Sequence, residues 1–267
     1  MKTVQKYEIC DNLIGLAKLQ DNSIDLTVTS PPYDNLRTYN GYYFDFEKLA
    51  LGLYRVTKEG GVVVWIVGDQ MKDGSETGTS FRQALYFKEI GFNIHDTMIY
   101  SKRGFANPSS NRYHQIFEYM FVFSKGTPKT FNPIMDRKNK CAGATVHGKA
   151  READGSFSAR SCNGNIILPY GARCNVWEYS TGGGNISTDK YVHEHPGAFP
   201  EKLVNDHILS WSNEGDIILD PFLGSGTTLR ICRFLNRNGI GFEINEGYET
   251  IIRERLKSDT PTLDTYQ

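Results

Sequence analysis

Near its C-terminus the chain reads Asp216-Ile217-Ile218-Leu219-Asp220, followed by Pro221-Phe222-Leu223-Gly224-Ser225-Gly226-Thr227-Thr228. A short apolar run that ends on an acid and enters a glycine turn admits few folds. It predicts a strand over Asp216–Asp220, a tight turn through Gly224 and Gly226, and a helix over Thr227–Arg237. A second strand, Gly239–Glu243, comes next. Strand, crossover helix, strand is the unit that parallel sheets are built from. A parallel sheet buries both faces, so the chain is expected to be an α/β three-layer sandwich.

The N-terminal half repeats that rhythm. Strands are predicted at Tyr7–Cys10, Ile24–Thr29 and Val62–Val67, the last a continuous apolar run suited to burial on both faces. Helices are predicted at Leu13–Leu19, at Phe46–Val56 from the spacing of Phe46, Leu49, Ala50, Leu53 and Tyr54, and at Phe81–Ile90 with Gly91 just beyond. Asn93–Tyr100 and Ile116–Phe123 read as two strands with no helix between them, hence an antiparallel pair in a mostly parallel sheet. With Asp216–Asp220 and Gly239–Glu243 the sheet has seven strands. Helices at Pro200–Ser210 and Tyr248–Leu256 complete the body. From Lys125 to Ser187 the periodicity fades into Gly, Ser, Asn, Lys and Arg with isolated aromatics, including Trp177. The expected organisation is a catalytic body, 1–124 and 191–258, interrupted by an irregular insertion, 125–190.

Composition sets bounds on partners. Hydrophobic residues make up 39% of the 267 and aromatics 12%, enough for a large core. No apolar run reaches the length of a membrane span, and Met1–Glu8 has no apolar signal core, so a cytoplasmic protein is expected. The net charge of −1 conceals an asymmetry. Residues 101–190 hold 13 Lys and Arg against 6 Asp and Glu, and the remainder holds 17 against 25. A basic segment on an acidic body points to a polyanion met through one region. The five cysteines include no Cys-x-x-Cys pair and are read as free thiols. Cys141, His147, Cys162 and Cys174 match no standard zinc spacing, and no metal is expected.

Two segments carry chemistry. In the first, glycine lets the backbone approach a ligand without a Cβ in the way, and Glu243 ends the next strand, where a carboxylate can take ribose hydroxyls. A nicotinamide enzyme would continue Gly-x-Gly-x-x-Gly, but Leu229 stands at the third position. The second is Ser30-Pro31-Pro32-Tyr33, directly after the predicted strand Ile24–Thr29. An exocyclic amine of a nucleobase is a weak nucleophile because its lone pair is delocalised into the ring. Accepting hydrogen bonds from both of its N–H groups favours a tetrahedral nitrogen. Ser30 Oγ and the Pro31 carbonyl are suitable acceptors, the prolines stiffen the wall, and Tyr33 can stack on a base. Taken alone, the tetrapeptide also reads as a surface turn.

The pair of segments resembles the amino-methylating DNA methyltransferases, in the permuted (beta-class) order with the catalytic motif first. Asp-Pro-Phe-x-Gly-Ser-Gly-Thr-Thr is similar to their S-adenosylmethionine motif. His195-Pro196-Gly197-Ala198-Phe199-Pro200-Glu201-Lys202-Leu203 resembles the segment lining the methionine end. Gly241-Phe242-Glu243-Ile244 resembles the ribose motif. The resemblance covers roughly 7–124 and 193–256. It implies a Rossmann-like methyltransferase fold and S-adenosylmethionine held by Asp11, Phe199, Pro200, Lys202, Asp220, Phe222, Gly224, Ser225, Gly226, Thr227 and Glu243. It implies catalysis by Ser30, Pro31, Pro32 and Tyr33 on a base flipped out of duplex DNA. Cytosine N4 is the expected target and adenine N6 the alternative, since Ser at the first motif position is more typical of cytosine enzymes. The insertion falls where the family reads its target, so Lys138, Lys140, Arg151, Arg160 and Arg173 are expected DNA contacts, together with Asn35, Arg37 and Tyr39 beside the catalytic motif. The resemblance places the protein in a prokaryote or phage and leaves a companion restriction endonuclease and a homodimer open as partners. An RNA or protein-amide methyltransferase is disfavoured by Ser30 and by motif order. A non-catalytic relative is disfavoured because both motifs are intact. No Pro-Cys nucleophile of the carbon-5 cytosine type is present.

Overall fold

The computed structural model describes residues 3–34, 44–104, 110–180 and 200–258. It divides into two compact units, one from residues 1–132 and 175–267 and the other from 133–174. The larger unit is built on an eight-stranded sheet. Its strands are β1 (Gln5–Ile9), β2 (Ile24–Thr29), β3 (Thr57–Val67), β4 (Asn93–Arg103), β5 (Phe117–Ser124), β6 (Val176–Ser180), β7 (Ile217–Asp220) and β8 (Asn238–Glu243). They lie in the order β1-β8-β7-β2-β3-β5-β4-β6. Every pairing is parallel except those that β5 makes with β3 and β4.

The sheet has one strand more than the seven expected. The extra strand, β6, lies inside the segment that the sequence reading leaves irregular. It pairs with β4 from Val176↔Ile99 to Ser180↔Arg103. Its five residues alternate, with Trp177 and Tyr179 buried and Val176 and Glu178 exposed. That is the period-2 pattern of a half-buried edge strand, but the run is short and set in polar sequence.

Helices α1 (Asn12–Ala17), α2 (Phe46–Val56) and α3 (Thr79–Glu89) cover one face of the sheet. Alternate strand residues Val63, Trp65, Val67, Phe121 and Phe123 form a single cluster with Leu16, Leu49, Leu53 and Phe87 from those helices. The α2 helix forms because Leu49, Ala50, Leu53 and Val56 recur on one face, and because the Asp45 side chain accepts from Lys48 N at 3.2 Å to cap its start. Trp65 is fully buried, and its indole N–H donates to Gln83 Oε1 at 2.9 Å, so its polar atom is satisfied. On the other face lie α4 (Glu201–Trp211), α5 (Thr227–Phe234) and α6 (Glu249–Lys257), which pack on one another in turn. His207 of α4 meets Met120 Sδ of β5 at 3.2 Å. Among the described residues no helix is long and apolar enough to cross a membrane.

The unit 133–174 is made differently. Residues 137–138 pair with 170–171, residues 149–151 pair with 157–159, and Thr145 bridges Ile166. None of its residues is buried. Cys141, Cys162 and Cys174 are exposed, and no group of three or more His, Cys, Asp or Glu converges on a metal position among the described residues.

One glycine fixes how α1 seats on the sheet. A Cβ at Gly15 would lie 2.4 Å from the ring of Phe242, which is itself buried on β8. Glycine in a helix costs about 1 kcal/mol relative to alanine, yet Gly15→Ala should destabilise the protein, by about 1–3 kcal/mol from overpacking. Urea denaturation of the two proteins measures the sign.

Candidate active site

Strands β1, β8, β7 and β2 are parallel neighbours, so they end at one edge of the sheet. Ile9 lies in register with Glu243, and Asp220 with Gly241. Each strand end leads into a segment singled out by the sequence: Asp11 after β1, Ser30 after β2, the glycine loop after β7, and Glu243 itself. The crevice beyond the C-terminal ends of parallel strands is where open α/β sheets take ligands.

The two motifs meet at Asp220. Its carboxylate is 1% exposed and accepts three hydrogen bonds. Thr29 Oγ1 donates to Oδ1 at 2.7 Å, from 191 residues away in the chain. Thr228 Oγ1 donates to Oδ2 at 2.6 Å, and the Phe222 N–H donates to Oδ1 at 3.1 Å. Burial raises the Asp220 carboxyl above the ordinary carboxylate range, and the donors oppose that shift. One side chain therefore ties the residue before Ser30 to both ends of the glycine loop.

The loop itself is held from two sides. Glu243 is 8% exposed. Its Oε2 accepts from Gly224 N at 2.7 Å and its Oε1 from Asn245 N at 2.9 Å. Burial raises its carboxyl above the usual range, again opposed by the backbone donors. Each oxygen keeps a lone pair beyond these bonds, so the two acceptors fit the hydroxyls of a ribose diol. Gly226 has φ 84°, a left-handed backbone that glycine adopts without strain. From α6, Arg255 Nη1 donates to Ser225 O at 2.9 Å, Ser225 Oγ at 2.7 Å and Thr227 Oγ1 at 2.9 Å. Its Nη2 donates to Glu201 Oε1 at 2.7 Å. Both members of that ion pair are fully buried. Glu201 opens α4 next to Pro200, which is buried at the helix cap. Lys202 turns to Asp206 at 3.4 Å. Phe222 is partly buried, edge-on to Phe44 at 5.0 Å between ring centres. Asp11 caps α1, accepting from Leu13 N at 2.8 Å.

On the reactive side, Ser30 Oγ lies 2.8 Å from Tyr33 Oη, and Tyr33 Oη donates to Glu118 Oε2 at 2.9 Å. Glu118 is on β5, and its other oxygen is ion-paired with Lys102 of β4. Pro31 is buried and Pro32 half-buried. The next residue after Tyr33, Asp34, has φ 45° and anchors the turn: it accepts from Thr77 Oγ1 at 2.6 Å, Thr79 Oγ1 at 2.7 Å and Gln70 N at 3.2 Å. Asn35, Arg37, Tyr39, His195 and Phe199 lie outside the described residues. In the separate unit 133–174, Lys138, Lys140, Arg151 and Arg160 are exposed, whereas Arg173 is held in an ion pair with Asp136.

Sequence reasoning missed Arg255, Glu201, Asp34 and Glu118. Arg255 left one signal, since it falls on the same helical face as the buried Ile251 and Ile252; a charge at a core position of a helix is nearly always paired. Glu118 and Asp34 left none, because their partners are distant in sequence.

A parallel sheet with a glycine loop and a terminal acid at this edge is the architecture of Rossmann-like methyltransferases. The chain superimposes on the cytosine-N4-specific PvuII DNA methyltransferase with a TM-score of 0.68 at 19% identity, covering 99% of this chain and 90% of that one. It superimposes on a DNA modification methylase from Thermus thermophilus, complexed with S-adenosyl-L-methionine, with a TM-score of 0.63 at 20% identity, covering 95% and 93%. Residues 24–254 match the model of the N6/N4 DNA methylases, and the chain belongs to that family, whose methyl donor is S-adenosylmethionine. It is 58% identical over 240 residues to the orphan methyltransferase M.BamHII of Bacillus amyloliquefaciens, covering 89% of this chain and 90% of that one.

Removing Arg255 should take away the shorter of the two guanidinium contacts to the buried Glu201 carboxylate, leaving Arg230 Nε at 3.6 Å, and should loosen the glycine loop. Arg255→Met is expected to cost about 3–5 kcal/mol in urea denaturation and to weaken S-adenosylmethionine binding in calorimetric titration.

Proposed function

We propose that this methyltransferase acts on the exocyclic N4 amine of cytosine in duplex DNA, with the base flipped out of the helix. The observation that supports the reading is the Thr29–Asp220 bond, which joins the residue before Ser30 to the acid that opens the glycine loop; serine at the first motif position favours cytosine over adenine. S-adenosylmethionine supplies a methyl group on a sulfonium, already a strong electrophile. The chain's own task is then to orient the amine and exclude water. Ser30 and Pro31 accept its two N–H groups, Tyr33 contacts the base face, and transfer is in line, without a covalent enzyme–base intermediate.

Glu243 would bind the ribose with its remaining lone pairs, and the backbone of Gly224–Thr227 would face the cofactor, with Phe222 packing beside it. Asp11, Pro200 and Lys202, with Phe199, complete the proposed cofactor wall. Asp220 already serves three protein donors, so its support of the methionine end goes through the loop it holds. Flipping costs a few kcal/mol of unstacking, offset by contacts to phosphates and base edges. The unit 133–174, basic and without a buried residue, suits target recognition through Lys138, Lys140, Arg151 and Arg160. Its exposed Phe157, Ile166, Leu168 and Tyr170 add apolar surface that a nucleic acid or protein can cover. The name of M.BamHII as an orphan methyltransferase favours a protein acting without a companion endonuclease.

Methylated DNA digested to nucleosides and analysed by mass spectrometry tests the target atom. N4-methyldeoxycytidine is expected. N6-methyldeoxyadenosine alone would reassign the base and leave the fold and cofactor assignments standing.

Recognition by the unit 133–174 makes a separate prediction. DNA affinity should fall with salt at a log–log slope of about −0.9 per phosphate contact. Replacing Lys138, Lys140, Arg151 and Arg160 together by glutamine should flatten that slope and leave S-adenosylmethionine affinity unchanged. An unaltered slope would move the phosphate contacts elsewhere.

A further inference from the structure

We propose that Glu118, outside both motifs, is a positioning residue that sets the direction of the hydrogen bonds at Ser30, leaving Ser30 Oγ as an acceptor for the substrate amine. This rests on the assignment of Ser30 to the amine. The chain of contacts is Lys102–Glu118–Tyr33–Ser30. A carboxylate facing an ammonium has no proton to donate, so Glu118 accepts from Tyr33. A phenol has one proton. Tyr33 therefore donates to Glu118 at 2.9 Å and accepts from Ser30 at 2.8 Å. The serine proton is thereby committed to Tyr33, and the lone pairs of Ser30 Oγ are left for an amine N–H.

The direction matters because a serine hydroxyl is ambivalent. Free to rotate, it can turn its proton toward the amine, where two donors oppose each other. The Pro31 carbonyl has no such freedom and needs no director. A carboxylate at this position would be an acceptor by its chemistry alone; a serine hydroxyl has to be directed by its neighbours. Glu118 is not required merely to place Tyr33, since Asp34 anchors the same turn through Thr77 and Thr79. Burial adds weight to the pair: the side chains of Lys102 and Glu118 are 29% and 16% exposed, so water competes weakly for Glu118.

Glu118→Gln tests the direction with almost no change of shape. The Lys102 ammonium requires an acceptor and will take the amide oxygen, which turns the amide NH2 toward Tyr33. Tyr33 then accepts from Gln and donates to Ser30, and the serine proton is released toward the amine. Single-turnover methyl transfer to duplex DNA should fall at least about tenfold, while S-adenosylmethionine and DNA affinities stay at wild-type values. Adding Lys102→Met frees the amide oxygen to face Tyr33 and should recover most of the rate, although it removes a second charge. In a Tyr33→Phe background, Glu118→Gln should have no further effect. Wild-type turnover of Glu118→Gln, no recovery in the Lys102→Met pair, or multiplying effects of Glu118→Gln and Tyr33→Phe would each overturn the proposal. Ser30→Ala separates it from the reading beneath. If Ser30→Ala transfers methyl at the wild-type rate, the assignment of Ser30 to the amine fails. If Ser30→Ala is slow and Glu118→Gln is not, only the role of Glu118 fails.

Discussion

A single buried carboxylate joins the two sequence motifs. Asp220 accepts from Thr29 on the strand that leads to Ser30-Pro31-Pro32-Tyr33, and from Phe222 and Thr228 at the two ends of the glycine loop. A buried carboxylate without donors would be strongly destabilising, and each of these three donors would be costly to bury unpaired. The arrangement is therefore mutually dependent: the loop, the strand end and the acid reach a low free energy only together. Transfer by alignment is sensitive to misplacement of about 1 Å, and the Thr29–Asp220 bond ties the two motifs together from beneath.

Around it the site is braced by charges withheld from solvent. Arg255 and Glu201 are both fully buried, which gives no advantage in stability over apolar residues of like shape. What the pair provides is a multidentate guanidinium fork that holds Ser225 and Thr227 at three acceptors. A second pair, Lys102 with Glu118, stands beside Ser30-Pro31-Pro32-Tyr33, where Glu118 accepts from Tyr33 Oη. The glycine loop and the Ser30-Pro31-Pro32-Tyr33 segment are each backed by a cation–carboxylate pair, placed on helices in one case and on adjacent strands in the other.

The sheet and both motifs were legible because they are local. The β7–loop–α5–β8 unit announces itself through apolar runs, a glycine turn and terminal acids at fixed offsets. Strand β3 is readable from its unbroken apolar run of Val, Trp and Ile. Strand β6 escaped because five residues with two inward aromatics are too short to stand out in a polar stretch, and its partner β4 is far away in the chain. Glu118, Asp34 and Arg255 escaped for a related reason. Their roles exist only in tertiary contact, and a lone Glu in an aromatic strand such as Phe117–Ser124 reads as an outward-facing residue. Asp220 was legible as a motif position, but its orientation toward Thr29 was not.

The adjacency of β2 and β7 also governs when the site can come into being. Strands β2, β3, β5 and β4 are complete within the first half of the chain, yet β2 gains its second neighbour only from residues beyond 216, and β1 pairs solely with β8. During synthesis the emerging half-sheet must present an open β2 edge, a template for pairing with other chains, until the last fifth of the polypeptide leaves the ribosome. Such long-range pairing raises contact order and slows folding. A chain cut short between the end of β5 and the start of β7 thus carries Ser30-Pro31-Pro32-Tyr33 with no glycine loop beside it and with an open strand edge that favours aggregation.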